Sequence, residues 1–148
     1  MTALLVLDPK YLNELGVPED AIKGAVLMST PYRIPRAPRG QAARSFTDAF
    51  GNDPEVYQDA WPIHHVQNAR TPLLVMIETV ADDQHNAIGQ LKPFKQALEA
   101  TGFKHATFIE AKDRDHRSIV QEMIKQGDDP QRAAIVEFIQ KRRKDLNP

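Results

Sequence analysis

Three short apolar runs are the clearest pattern in this sequence of 148 residues. They are Ala25–Met28, inside the longer segment Ile22–Ser29, then Leu73–Ile77 and Ala106–Ile109. Runs that are apolar at nearly every position, as the first two are, are typical of strands that are buried on both faces of a parallel sheet. The pattern therefore predicts three strands.

Helical spacing follows the second and third runs. Apolar positions three and four apart predict one helix around Leu91–Leu98, and Gly102 is placed where a left-handed C-terminal cap belongs. The same spacing predicts two more helices over Ile119–Lys125 and Ala133–Ile139. Strands that alternate with helices predict an α/β fold, with a parallel sheet of about three strands flanked by helices.

The rest of the chain gives weaker patterns. Thr2–Leu7 is apolar on every side, so a buried helix and a strand are equally compatible with it. Lys10–Asp20 is predicted to be a loop with a short helical turn. Helices are predicted at about Gln41–Phe50 and in a short segment that ends near Ala60, and Trp61–Val66 is predicted to be an extended connector.

The composition is that of an ordinary globular protein, with 41% hydrophobic and 26% charged residues. A length of 148 residues predicts one domain, over residues 1–148. The formal net charge of −1 provides no field that would attract nucleic acid or an acidic membrane surface. No apolar run approaches the roughly 20 residues of a membrane span. We therefore expect neither nucleic acid nor a membrane as a partner.

The sequence leaves the cellular compartment open. The absence of cysteine excludes disulfides and thiolate metal sites, and is compatible with a reducing compartment. Asp8 and Lys10 interrupt the first apolar residues too early for a signal peptide. A cytoplasmic location is the default expectation, which a signal upstream of residue 1 would change.

Candidate catalytic residues lie in two polar loops that each follow a predicted strand. Asp82 and Asp83 lie in the loop Glu78–Ala87, and His116 is at the centre of the turn Ala111–Ile119. The carboxyl ends of parallel strands share one edge of a sheet, so both loops are expected to open there. A carboxylate that fixes an imidazole, which in turn takes a proton from a nucleophile, is an arrangement for proton transfer.

Other polar residues near this turn are interpreted as structural. Asp113 and Asp115 flank His116 too closely in the sequence to orient its ring, so we interpret them as turn residues. Ser118 is expected to pack at the start of the next helix. Ser29 ends a buried strand and is the best nucleophile candidate within the chain, but strand-end serines commonly bond local backbone, and we favour that interpretation.

No metal or other cofactor is expected. His64, His65, His85 and His105 show neither the helical i, i+4 spacing nor the cysteine partners of zinc sites. The basic run Lys141–Lys144 is interpreted as a helix end, where cations suit the helix dipole.

Several stretches together resemble the C-terminal half of an α/β-hydrolase of the esterase, lipase and arylformamidase type, and they extend over essentially the whole chain. The order and spacing of these stretches carry the resemblance: Leu7–Leu12, Ile22–Tyr32, Phe50–Pro54, Asp59–Val66, Thr71–Val75 and Asp113–Ile119.

The resemblance implies a Ser-Asp-His triad of which this chain holds two members. His116 matches the base, and the pair Asp82 and Asp83 matches the orienting acid. Counting forward from Ile77 favours Asp82, and counting back from the following helix favours Asp83, to which we lean slightly. In the family the nucleophile elbow G-x-S-x-G lies immediately before the helix that ends in the segment matching Asp8–Leu12, so the N-terminal half and the elbow are expected to be missing from a partial domain over residues 1–148.

The expected function is therefore that of a serine hydrolase fragment for carboxylic esters or aryl amides, inactive alone because it lacks the nucleophile. The alternative is a non-catalytic interaction domain, or a truncated gene product, on the same scaffold. Expected partners are a small-molecule ester or amide substrate once the site is complete, and an N-terminal half or a second copy of the chain. A bare strand edge predicts marginal stability or self-association without such a partner.

Overall fold

Three parallel strands form one sheet in a computed structural model that describes residues 2–33, 47–80, 87–125 and 127–146. The strands are β1 (Ala25–Met28), β2 (Leu73–Glu78) and β3 (Ala106–Ala111), and their spatial order is β1-β2-β3. In register, Ala25 pairs with Leu73, which pairs with Ala106 on its other side. The predicted α/β class and its three strands are confirmed.

Helices precede, connect and follow the strands. They are α1 (Thr2–Leu7), α2 (Lys10–Glu14), α3 (Pro54–Asp59), α4 (Ala87–Ala100), α5 (Ser118–Gln121) and α6 (Pro130–Leu146), with 3-10 helices at Glu19–Ala21 and Pro62–Asn68. Residues 47–50 are also helical. Within the described ranges, none of these helices has the length and apolar character that crossing a bilayer requires.

The helices cover both faces of the sheet, and the alternation of strand side chains decides which residue faces which layer. Leu27 and Val75 point to one face, where they share a core with Leu7 of α1 and with Phe94 and Leu98 of α4. The neighbouring strand residues point to the opposite face, towards α5 and α6, in a second cluster of Leu74, Met76, Ala111 and Ile119 with Ile135 and Phe138 packed against it. The architecture is thus three-layered.

Three predictions about elements need correction. Trp61–Val66 is not extended, because Pro62 occupies the first position of a 3-10 helix, where its fixed φ favours a helical start. The helix predicted over Ile119–Lys125 stops at Gln121. Of the strands predicted to be buried on both faces, β2 is buried throughout, whereas in β1 only alternate residues are fully buried.

Candidate functional site

Ser29 and His116 meet at the edge of the sheet where the strands have their carboxyl ends, which we call the carboxyl edge. Ser29 directly follows β1, and His116 lies in the turn after β3. The Ser29 Oγ lies 2.6 Å from Nδ1 of the His116 ring, although 87 residues separate the two in the sequence. Contrary to our interpretation of Ser29 as a serine that bonds local backbone, its hydroxyl contacts this ring across the sheet.

The backbone of Ser29 is held in an unusual conformation. Its φ of 47° lies in the left-handed region, which costs a non-glycine residue about 1–2 kcal/mol. Its N–H donates to the carbonyl oxygen of Met76 in β2, at 3.0 Å, and the residue is only 5% exposed. The hydroxyl therefore projects from a fixed and buried position at the end of the strand.

A turn built on Asp115 carries His116. The Asp115 Oδ1 accepts hydrogen bonds from Arg117 N–H (2.9 Å), Ser118 N–H (2.7 Å) and the Ser118 hydroxyl (2.8 Å). Donation by the backbone and hydroxyl of Ser118, and then by Arg117, lowers the pKa of Asp115 below its ordinary value. Asp115 and Ser118 are thus the turn and helix-start residues that the sequence predicts, and Asp113, with a φ of 59°, is a turn residue as well.

An ion pair anchors the same turn to α6. The Arg114 guanidinium donates to Asp129 Oδ2 at 2.6 Å, and both side chains are largely buried. Burial alone would raise the pKa of Asp129, but hydrogen bonds from the Arg132 N–H and from Arg114 outweigh it, and the pKa is lowered from its ordinary value. This pair has no signature in the sequence, because Arg114 and Asp129 are 15 residues apart in two separate loops.

Hydrogen bonds join the start of the loop after β2 to the loop after β3. The N–H groups of Thr79 and Val80 both donate to the carbonyl oxygen of Arg114, at 3.1 and 2.9 Å. The Thr79 hydroxyl donates to Ala111 O at 3.2 Å and accepts from the Asp113 N–H at 2.9 Å. The two loops expected to share an edge therefore begin side by side.

The acid candidates Asp82 and Asp83 lie outside the described residues. Beyond them, α4 is tied to the segment after β1, because Gln90 Oε1 accepts hydrogen bonds from the N–H groups of Tyr32 and Arg33, at 2.8 and 2.7 Å. Chain segments that follow all three strands are thus connected at the carboxyl edge.

Two buried polar groups lie beneath this edge. Tyr32 is fully buried and stacks on Phe94, with ring centroids 3.7 Å apart. Burial, and then the nearby Glu78 carboxylate, raise the pKa of the Tyr32 phenol above its ordinary value. Glu78, expected in a polar loop, is instead the last residue of β2 and is 2% exposed. Among the described residues, neither the Tyr32 hydroxyl nor Glu78 Oε2 has a hydrogen-bond partner.

A second cluster, which the sequence reasoning missed, joins α1, α3 and the 3-10 helix after α3. Asp8, Asp59 and His65 bring oxygen and nitrogen atoms within 4.8 Å of one another. The Lys10 ammonium lies 3.3 Å from Asp8 Oδ2 and also bonds Asp59, whose hydrogen bond raises the pKa of Lys10. A cation of the chain itself thus balances these carboxylates, and we interpret the cluster as structural.

Two cavities lie away from the Ser29–His116 pair. A cavity of about 390 Å³ beside Thr71 and Pro72 opens at the opposite end of β2, and one of about 730 Å³ is lined by Glu78, Lys95 and Phe108. Neither is lined by Ser29 or His116.

Comparisons with protein family models, with curated proteins and with solved structures found no match for this chain. Its coordinates define an α/β protein whose carboxyl edge holds a hydrogen-bonded serine and histidine. Any assignment of chemistry therefore has to be argued from those residues.

Proposed function

We propose that this chain supplies the base and the orienting acid of a serine hydrolase for carboxylic esters or aryl amides, with the nucleophilic alcohol outside the 148 residues. His116 is the base, and Asp83 or Asp82 is the acid. The observation that carries the proposal is the position of His116 at the carboxyl edge, with a hydroxyl 2.6 Å from its ring. Reactive groups of open parallel sheets collect at this edge.

The chemistry requires an imidazole in a fixed orientation. His116 would accept the proton of the attacking alcohol and then return it to the leaving alcohol or amine. The turn that carries the ring is held by Asp115 on one side and by the Arg114–Asp129 ion pair on the other. An imidazole on such a turn needs little reorganisation before it takes the proton.

The joined loops support the choice of acid. Asp82 is two residues beyond Val80 in the sequence, and Val80 bonds Arg114, which is two residues before His116. Two residues of extended chain reach at most about 7 Å, so connectivity favours an approach of this acid to the ring. Asp83, one residue further, satisfies the same argument.

The proposal is tested with a protein that adds to this chain any residues encoded in frame before Met1, which we call the extended protein. Hydrolysis of a small aryl ester and of an N-formyl aryl amide is measured for the extended protein, for the 148-residue chain alone, and for His116→Gln. We expect turnover only by the extended protein, and we expect His116→Gln to lower its kcat/KM by at least about a thousandfold. A fluorophosphonate probe should label a serine of the upstream segment.

The matched control is His105→Gln, because His105 is an exposed histidine before β3, at the end of the strand opposite to His116. Its kcat/KM should equal that of the unmodified protein. If His116→Gln behaved like His105→Gln in a hydrolysing protein, His116 would not be the base. If no extended protein hydrolysed either substrate, the non-catalytic interaction domain would be favoured instead.

A further inference from the structure

We propose that Ser29 is a positioning residue that holds the His116 ring through Nδ1, so that Nε2 is the atom that accepts the proton; this inference rests on the proposed function. It gives a role to a serine that the resemblance leaves unassigned. In this arrangement the Nδ1–H donates to the Ser29 Oγ as well as to the orienting acid of the proposed function, and the lone pair on Nε2 takes the proton of the attacking alcohol.

The contact is suited to orient a ring. At 2.6 Å, Oγ and Nδ1 are within the range of a strong hydrogen bond. The serine is itself fixed, because its N–H bonds Met76 of the central strand. A hydrogen bond to one imidazole nitrogen selects the tautomer and thereby determines which nitrogen is the base. With the Ser29 hydroxyl as acceptor at Nδ1, the neutral ring keeps its lone pair at Nε2, whereas a hydroxyl that donates to Nδ1 would give the opposite tautomer.

The strained backbone of Ser29 also supports a positioning role. A non-glycine residue with φ of 47° persists only where its surroundings determine the conformation, and such residues concentrate at functional sites. Asp113, the other non-glycine residue with positive φ among the described residues, lies at the start of the turn that carries the ring. Ser29 thus contacts the His116 ring directly, and Asp113 lies three residues before His116 in the turn that carries it.

The burial of Ser29 favours a positioning role over that of a nucleophile. Ser29 is 5% exposed and its backbone is paired with β2, so a substrate carbonyl has little access to it, whereas His116 is only partly buried. An attacking alcohol must also donate its proton to the base, which would require Nδ1 to be the acceptor. The two roles therefore predict opposite tautomers of the same ring.

The ring tautomer is measured by nitrogen-15 NMR on the isotope-labelled 148-residue chain, at a pH where the imidazole is neutral. We expect a pyridine-type, unprotonated signal at Nε2 of His116 and a protonated signal at Nδ1. In Ser29→Gly this preference should be lost. Glycine suits the positive φ and removes the hydroxyl, so the variant separates the hydrogen bond from the backbone strain.

Three variants are measured as controls. Ser118→Ala removes a hydroxyl two residues from His116 that bonds Asp115, and should leave the ring tautomer unchanged. Asp82→Asn and Asp83→Asn test the acids. An unprotonated Nδ1 in the unmodified chain would overturn the proposal, because Ser29 would then be the donor. A tautomer that changes only in an aspartate variant and not in Ser29→Gly would overturn it as well.

Activity of the extended protein gives a second measurement. Loss of one orienting hydrogen bond should lower the kcat of Ser29→Gly about fivefold with little change in KM, since a bond of this kind is worth about 1 kcal/mol. An unchanged kcat in an active protein would count against positioning by Ser29. The NMR result does not depend on hydrolysis, so failure of the proposed function and failure of this inference are distinguishable.

Discussion

Ser29 and the Arg114–Asp129 pair bring backbone strain and buried charge to the carboxyl edge. Ser29 has a φ of 47°, and its contact with His116 spans 87 residues of sequence. Local patterns report neighbours along the chain, whereas this contact depends on the parallel pairing of β1, β2 and β3. The signal available in the sequence was positional, because a serine and a histidine each followed an apolar run.

We predict that Ser29→Gly is more stable than Ser29→Ala by about 1 kcal/mol, because only alanine retains the cost of a Cβ at positive φ. Both variants lack the hydroxyl, so the difference reports the backbone alone. The measurement is the free energy of unfolding in urea. Equal stabilities, or a more stable Ser29→Ala, would mean that the left-handed conformation of Ser29 is not present in solution.

The Arg114–Asp129 ion pair leads to a pH prediction. Arg114→Met leaves a carboxylate that is 7% exposed without its cation, and should lower the free energy of unfolding at neutral pH by about 2 kcal/mol. The pKa of Asp129 is lowered from 3.8, so the stabilisation is present above that pH and is lost as the pH falls through the folded-state pKa. The two proteins should therefore converge in acid.

Urea unfolding at a series of pH values checks this convergence. Lys141→Met is the control, because Lys141 is an exposed residue of α6 and should change stability little at any pH. A difference between Arg114→Met and the unmodified chain that stays constant into acid would show that the ionised carboxylate of Asp129 is not what Arg114 stabilises.

At the scale of elements, continuous apolar runs predicted the strands well, because a strand between two layers of helices has apolar side chains at most of its positions. Helix bounds were predicted less well. Pro62–Val66 forms part of a 3-10 helix because Pro62 begins a helical segment, and the helix after His116 is a single turn. Both departures lie in connections, where capping and tertiary contacts outweigh periodicity.

Close packing between α6 and the start of β1 gives a prediction for Gly24. A Cβ at this position would lie 2.9 Å from Cε1 of Phe138 and 3.1 Å from Cγ of Arg142. Gly24→Ala should therefore lower the free energy of unfolding by about 1–3 kcal/mol through overpacking. Urea unfolding provides the measurement.

The double variant Gly24→Ala with Phe138→Leu identifies the cause. A smaller side chain on α6 should relieve the clash, so the double variant should lose less stability than the sum of the single losses. Additive losses would show that the cost of Gly24→Ala comes from something other than contact with Phe138.

At the scale of the whole molecule, both outer strands matter for association. Within the described residues, β1 pairs with β2 alone, and β3 likewise. Successive N–H groups of a strand point to alternate sides of the strand. Those of Ala25 and Ser29 point towards β2, so those of Val26 and Met28 point to the open edge. Unpaired edges of this kind favour pairing with another chain.

We predict that the chain alone self-associates, with a mean mass in sedimentation equilibrium that rises with concentration. Val26→Pro should weaken this association, since it removes an outward N–H that β2 does not use. Ile124→Lys is the control for loss of an exposed apolar residue, because Ile124 is 80% exposed on another part of the chain. A monodisperse monomer with a sharp cooperative melt would contradict the prediction.

The bonds from Thr79 and Val80 to Arg114 have a consequence for solvent exchange. These two amides lie beyond the end of β2, yet their hydrogens are held by a carbonyl oxygen of the turn after β3. Their deuterium uptake should consequently be slow and should match that of the strand amides. A ligand that displaces one of these loops would break both hydrogen bonds together. Deuterium uptake at Thr79 and Val80 would then rise in parallel.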